Sequence, residues 1–392
     1  MSDSQSSRNW VADHISALPR SGIRDFFELV SSMEDVVSLG IGEPDFVTPW
    51  GIREATIYAL DKGVTSYTSN LGLLSLRREC CRYVAENFGP QYSPESECII
   101  TVGVSEGLDL ILRAVLNPGD EVLYHEPCYV SYAPSVAMAH ARPVPVVTRE
   151  EDDFVLRAEA VEACITPKSR VLLLNYPNNP TGAGLDYEQK KELARVAVAH
   201  DLLVITDEIY DELTYENRCD SIACFPGMRE RTVVLRGFSK AYAMTGYRIA
   251  YGCGPPELVE AMMKVHQYSM LCASSIAQAA AVEALQHGRN DMQEMRTEFE
   301  QRRHVIVKRL NEMGLPCFMP KGAFYVFPRI EQTGLSSQDF AQRLLAEKRV
   351  AVVPGTAFGA CGEGYVRCSY AAGMEQIETA MSRIRDFLHE LG

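Results

Sequence analysis

One lysine stands apart in this sequence. Lys240 sits inside R-G-F-S-K-A-Y-A-M-T-G-Y-R (residues 236–248), between the apolar runs Thr232–Leu235 and Ile249–Tyr251. A lysine is ordinarily a solvated surface residue. Phe238, Ala241, Tyr242, Ala243 and Met244 are instead the company of a packed interior. Desolvation disfavours the ammonium form, lowers the pKa and leaves an amine able to form a Schiff base with a carbonyl. Surface charge and amine nucleophile are the two readings of this stretch, and the rest of the chain must choose between them.

Other polar residues fall at the ends of apolar runs. Ser169–Leu174 is followed by N-Y-P-N-N-P-T-G, which carries Asn175 and Asn179. Leu202–Thr206 ends on Asp207, with Glu208 and Tyr210 just beyond. Thr232–Arg236 leads to Ser239 and Lys240, and Cys98–Val102 leads to Gly103-Val104-Ser105 at the start of a helical pattern. Each loop has an ordinary explanation: Asn-Pro marks turns, and Asp after a strand caps the next helix. Together they carry more weight, because ligands of open parallel sheets bind outside the carboxyl ends of the strands. Backbone N–H groups at a helix start attract anions, Gly103 admits a phosphate, and Arg248 can add a bidentate guanidinium. Neither G-x-x-x-x-G-K-[ST] nor a strand-to-helix G-x-G-x-x-G is present, which turns the reading away from nucleotides.

The elements that must position these groups follow from periodicity. Short β-branched runs at Cys98–Val102, Glu121–Tyr124, Pro143–Val147, Ser169–Leu174, Leu202–Thr206, Thr232–Arg236 and Arg248–Gly252 alternate with helical patterns. Those patterns include Trp50–Leu60, Leu74–Asn87, Ser105–Leu116 and Tyr187–His200. That alternation predicts an α/β fold with a mostly parallel sheet flanked by helices. Amphipathic patterns at Val11–Leu18 and Ile23–Met33 precede it, and Pro256–Leu310 reads as helical almost throughout. A second strand–helix section follows at Ala323–Phe327, Ser337–Glu347, Val350–Val353, Tyr365–Tyr370 and Met374–Leu391. The partition expected is a large domain over residues 48–290 and a smaller α+β domain assembled from 1–47 and 291–392.

Composition narrows the function classes. The formal net charge is −14 over 392 residues, and nucleic-acid or anionic-membrane partners call for a basic footprint instead. The twelve cysteines have no C-x-x-C spacing, and the N-terminus has no apolar signal segment. Free thiols in a reducing cytoplasm are the expectation. No apolar run reaches membrane-spanning length.

The run S-K-A-Y-A-M-T-G-Y-R, with N-Y-P-N-N-P-T-G and D-E-I-Y upstream, resembles the class I/II aminotransferases. These are fold type I enzymes that carry pyridoxal 5′-phosphate (PLP). The resemblance extends from L-G-I-G-E-P-D-F near residue 39 to G-Y-V-R-C-S-Y near residue 370. It implies Lys240 as Schiff-base lysine and general base, and Asp207 as partner of the pyridinium nitrogen. Asn179 and Tyr210 would hydrogen-bond the ring oxygen, and Tyr129, in P-C-Y-V-S-Y, would stack on the ring. Val104, Ser105 and Arg248 would hold the phosphate, with Ser239 in the same cofactor-binding set. Tyr67 would reach the phosphate from a neighbouring subunit, which implies a homodimer with composite sites. Arg367 would grip the substrate α-carboxylate, Gly42 would line the cleft, and Asn179 would face substrate as well as cofactor.

The same resemblance implies amino transfer from an L-amino acid to a 2-oxo acid, 2-oxoglutarate first among acceptors, with ping-pong kinetics. A C–S β-lyase shares the same lysine and aspartate and is the main alternative; a non-catalytic effector sensor is a further one. Ile23, Ile41, the Tyr67–Leu71 loop and Tyr129 are expected around the substrate side chain. They favour broad specificity for aromatic or neutral donors, with aspartate a close rival. One departure stands out: many relatives have a serine three positions before the lysine, where this chain has Gly237. The phosphate cup is therefore expected to lack one side-chain donor.

Overall fold

The computed structural model describes residues 10–18, 33–216 and 219–391. After a short strand β1 (Val37–Ser38), seven strands form the central sheet. They are β2 (Cys98–Thr101), β3 (Glu121–Glu126), β4 (Arg142–Val147), β5 (Ser169–Asn175), β6 (Leu203–Asp207), β7 (Thr232–Gly237) and β8 (Ala250–Cys253). Their order is β2-β8-β7-β6-β5-β3-β4. Pairs within β4-β3-β5-β6-β7 are parallel, whereas β8 is antiparallel to both β7 and β2. Only β8 is reversed, so the carboxyl ends of the other six share an edge with the start of β8. That edge carries the chemistry.

The middle strands are apolar on both faces because both faces are covered. Val171, Leu172, Leu173 and Leu174 of β5 are all buried. Their neighbours on the two sides belong to different clusters, one with Leu193 and Val196, the other with Leu110 and Ile111. A continuous apolar run is what a strand sandwiched between helices needs, and burying each such side chain contributes about 1.5–3 kcal/mol. The helix Val104–Val115 supplies one cover, and Tyr187–Ala199 another. The latter starts sharply because Asp186 and Gln189 form a reciprocal capping box, satisfying two donors that would otherwise lack partners.

The C-terminal section builds its own core. Strands β9 (Tyr325–Val326), β10 (Val350–Ala351), β11 (Val353–Pro354) and β12 (Val366–Ser369) are short. The order β11-β12-β9 makes an antiparallel sheet, and β10 pairs in parallel with β1. Phe299, Phe324, Phe340, Ile377 and Phe387 pack there together with Leu39 from the N-terminal segment.

Several expectations need correction. The Val11–Leu18 pattern yields a single turn of helix, Asp13–Ser16, too short to hold itself without a packed face. Of the Ile23–Met33 pattern, residues 23–32 lie outside the described residues. The long helical stretch divides into Pro256–Ser269, Ser275–His287 and Arg289–Glu312. Ser274 caps the second of these, accepting from the Ala277 N–H. The strand expected at Arg248–Gly252 begins only at Ala250. Arg248 precedes it in a left-handed turn at φ +52°, and that turn matters for the site.

Candidate active site

A cleft of about 780 Å³ opens at the carboxyl edge of the sheet. Of the twelve residues singled out from the sequence, eleven line it: Gly42, Val104, Ser105, Tyr129, Asn179, Asp207, Tyr210, Ser239, Lys240, Arg248 and Arg367. Tyr67 does not, and its ring is 82% exposed.

Lys240 follows β7 by three residues and is half-buried beside Phe324, whose ring centroid lies 5.8 Å from Nζ. Its Nζ donates to the Gly42 carbonyl at 2.5 Å. Burial pushes the ammonium down to about 8, and Arg367 and Arg248 push the same way against the opposing pull of Glu43 and Asp207. Of the two readings of this lysine, the desolvated amine is the one that fits.

Asp207 ends β6, its carboxylate buried between strand and loop. The Tyr132 hydroxyl donates to Oδ2 at 2.7 Å and the Ile209 N–H to Oδ1 at 3.1 Å. Asn175, at the end of β5, fixes the backbone by donating to the Asp207 carbonyl at 2.9 Å. Burial pushes the carboxyl up to about 6, and the Tyr132 and Ile209 hydrogen bonds pull it back. Among the described residues no cation lies within salt-bridge distance. Behind it, Arg236 binds Glu208 and, at 2.6 Å, Asp211. This buried network holds the turn that follows Asp207.

The anion end of the cleft is made of backbone. Gly103 caps the helix Val104–Val115 at φ +82° and offers no side-chain cap, so the first-turn N–H groups are available. Thr101 Oγ1 donates to the Gly103 carbonyl at 3.0 Å, and Glu106 accepts from the Val102 N–H at 2.5 Å. The same Glu106 meets His266 Nδ1 at 2.8 Å. A Cβ on residue 103 would sit 2.7 Å from Arg248 Nη2, so glycine is what lets that guanidinium close on the loop.

At the other end, Arg367 on β12 donates to Asn179 Oδ1 at 2.9 Å and to the Gly40 carbonyl at 2.6 Å. Its Nε is buried without a partner. The Tyr210 and Tyr325 hydroxyls are 2.9 Å apart beside it.

Sequence reasoning missed two of these groups. Tyr132 was legible in principle, since it stands one helical turn after Tyr129. Tyr325 had no local signal; it reaches the site because β9 pairs with β12, and Ser369 with Tyr325. Gly237 also reads differently now. A Cβ there would meet Ile209 Cδ1 at 2.9 Å, Ala250 Cβ at 3.0 Å and Val104 Cγ2 at 3.2 Å. The position is one of close apolar packing, where a side chain would need these neighbours to give way. Of the expected side-chain pocket, Ile41 and Tyr129 line the cleft, and Ile23 lies outside the described residues.

The donor set fits PLP. An uncapped helix start beside Arg248 suits a phosphate, a half-buried amine suits an aldehyde, and a buried carboxylate without a cation suits a protonated ring nitrogen. Comparison with known proteins agrees. Residues 34–384 match the family described as aminotransferase class I and II. Aromatic-amino-acid aminotransferase 2 of Thermococcus litoralis is 45% identical over 97% of this chain and 98% of its own. Aspartate aminotransferase of Pyrococcus abyssi is 44% identical, again over 97% and 98%. The crystal structure of an aromatic aminotransferase from Pyrococcus horikoshii superimposes with a TM-score of 0.89 at 46% identity, covering 94% of this chain and 99% of that one. With motifs, fold and cleft in agreement, the chain belongs to the class I and II aminotransferases, enzymes that move an amino group with PLP as cofactor.

Proposed function

We propose that this enzyme takes the amino group of neutral and aromatic L-amino acids and passes it to 2-oxoglutarate by a ping-pong sequence, with Lys240 as the residue that binds the cofactor covalently. The observation that carries the proposal is the convergence of a lysine held near pKa 8, a buried carboxylate and a buried guanidinium with an unpartnered Nε in one cleft.

When bound, PLP supplies an electron sink for the pair left when the substrate Cα–H bond breaks. Every other task belongs to the chain. The first-turn N–H groups of Val104 and Ser105, with Ser239 and Arg248, would hold the phosphate. Tyr129 would cover the ring, and Asn179 and Tyr210 would serve its oxygen. Asp207, kept in place by Tyr132, would hold a proton on the ring nitrogen. Arg367 presents a bidentate fork to the α-carboxylate while Gly42 and Asn179 line the path of the substrate. Lys240 Nζ, once released, accepts the Cα proton and returns it on the far side of the transfer.

The proposed division of labour places a large unit at 48–290 and a small one in 1–47 with 291–392. Gly42 and Arg367 come from the second and Lys240 and Asp207 from the first, so the cleft lies between them. An exposed Tyr67 outside its own cleft supports a homodimer in which the partner subunit's site receives it. All twelve cysteines are free, in keeping with a cytoplasmic setting. Among the described helices none is long and apolar enough to cross a membrane.

Specificity follows from what surrounds the substrate. Ile41, Leu108, Tyr129 and Val130 line the cleft, and Arg248 and Arg367 are the only guanidinium groups among its described lining residues. A second carboxylate on the donor has no dedicated guanidinium there, which favours neutral and aromatic donors over aspartate. Single-turnover spectra with a panel of amino donors test this reading. Phenylalanine or tyrosine should convert the cofactor to its amino form faster than aspartate; a clear preference for aspartate would overturn the specificity. Release of ammonia without amino transfer would overturn the activity.

Replacing Arg367 with alanine should raise KM for every α-amino acid donor, by about 2–5 kcal/mol of lost binding free energy, the scale for truncating a buried charge pair. Steady-state kinetics across the panel would reveal the effect as independent of the donor side chain.

The lysine also predicts a pH dependence. At a pKa near 8, the neutral amine grows from about a tenth at pH 7 to about nine-tenths at pH 9. Reloading cofactor-free protein with PLP should therefore accelerate over that range. An ordinary lysine would still be almost wholly protonated at pH 9. Stopped-flow absorbance during reloading measures the midpoint.

A further inference from the structure

Beyond the cleft, at the edge of the main sheet, four cysteines from three chain segments meet. Cys80 and Cys81 lie on the helix Leu74–Phe88, Cys98 begins β2 and Cys253 ends β8. Cys98 and Cys253 are cross-strand partners. Beside them the Gly254 N–H donates to the Glu97 carbonyl at 3.2 Å. That puts the pair at a non-hydrogen-bonded position, where side chains of an antiparallel ladder come closest. The sulfur atoms of Cys81, Cys98 and Cys253 all lie within 4.8 Å of one another. Cys80 packs in the same buried cluster as Cys98 and Cys253. Cys81 is 6% exposed and the other three 0%.

One buried cysteine is a small apolar packing residue. Two features here exceed packing. Metal–sulfur bonds of ~2.3 Å place three sulfurs about 4 Å apart, a spacing that small side-chain adjustments reach from the one present. The second feature is a buried cation without a counter-ion. Arg77, one helical turn before Cys81, is itself only 6% exposed. Its guanidinium donates to the carbonyls of Gly72, Pro94 and Glu95. Among the described residues no carboxylate pairs with it.

We propose that Cys81, Cys98 and Cys253 form a binding site for a thiophilic d10 cation, with Cys80 as a fourth sulfur and Arg77 as the charge-balancing neighbour. Sulfur donors select Zn(II) and Cu(I) over Mg(II), Ca(II) or Mn(II). Each ligating thiol releases its proton to solvent on binding, and no electrons move. Three thiolates, the Arg77 guanidinium and a divalent ion sum to zero charge; a monovalent ion leaves one negative charge. Cys81, at the rim of the cluster, is the point of entry. The ion ties the helix Leu74–Phe88 to β2 and β8, at the ends of those strands remote from Gly103 and Arg248.

The PLP-loaded enzyme, kept reduced, is incubated separately with Zn(II) and with Cu(I), then desalted and analysed for metal. The expected result is about one ion per chain in at least one arm, falling below about a tenth in Cys81→Ser and in Cys253→Ser. Cys219→Ser, outside the cluster, should retain the ion. X-ray absorption on the loaded wild-type protein adds a readout independent of variant folding: a shell of sulfur alone at ~2.3 Å. Retention of Zn(II) points to four sulfurs, and retention of Cu(I) alone to three. No retention in either arm, a nitrogen or oxygen shell, or undiminished binding by folded Cys81→Ser protein overturns the proposal.

Discussion

Lys240→Ala protein should fold, bind PLP without a covalent bond and turn over at least about 10⁴-fold more slowly than wild type, since the proposed mechanism makes one side chain both cofactor anchor and proton carrier. Borohydride reduction followed by intact-mass measurement separates the two states. Wild-type enzyme should gain the mass of the reduced cofactor on Lys240, and the variant should gain nothing. The expectation rests on geometry as much as on chemistry. Nζ is half-buried and its hydrogen bond is to the Gly42 carbonyl, an acceptor that neither neutralises the amine nor supplies it with a proton. Added small amines should restore part of the proton transfer. A fully active variant would remove the assignment.

Asp207→Ala should cost about 3–4 kcal/mol of transition-state stabilisation, the scale for losing a preorganised electrostatic contact, or about 10²–10³-fold in the rate of the first half-reaction. The loss should fall on kcat rather than KM, because the proposed arrangement sets the carboxylate against the cofactor ring and not the substrate. Tyr132→Phe separates charge from position. It leaves the carboxylate in place but removes a hydrogen bond that stabilises its ionised form. In cofactor-free protein the Asp207 carboxyl should then titrate above the present value of about 6. Infrared titration of the carboxyl band checks the sign.

What the sequence made legible was the part with local causes. Runs such as Val171–Leu174 announce a strand covered on both faces, and the residues after them belong at that strand's carboxyl end. Asn179, Asp207 and Lys240 could therefore be placed on one edge without coordinates. The reversal of β8 has no such local mark, because an apolar run of four residues is compatible with either direction. The reversal brings Arg248 to the shared edge, by way of a left-handed turn that no periodicity forecasts. Tyr325 was hidden for a related reason: it acts through pairing between distant strands. At Gly237 the sequence shows a missing hydroxyl, and only the fold shows the three apolar atoms that a Cβ there would meet.

The close approach of Gly103 and Arg248 binds the two positions into a single unit of change. The absent side chain at 103 and the long one at 248 occupy the same space, with only 2.7 Å between a hypothetical Cβ and Nη2. Neither residue can drift alone without spoiling the fit of the other. An alanine at 103 is costly twice, once for its left-handed backbone and once for the guanidinium it displaces. Shortening residue 248 to lysine removes the second cost while leaving the first. Substitutions at the two sites are therefore non-additive, with a coupling on the order of 0.5–3 kcal/mol. Any redesign of this end of the cleft has to treat them as one position.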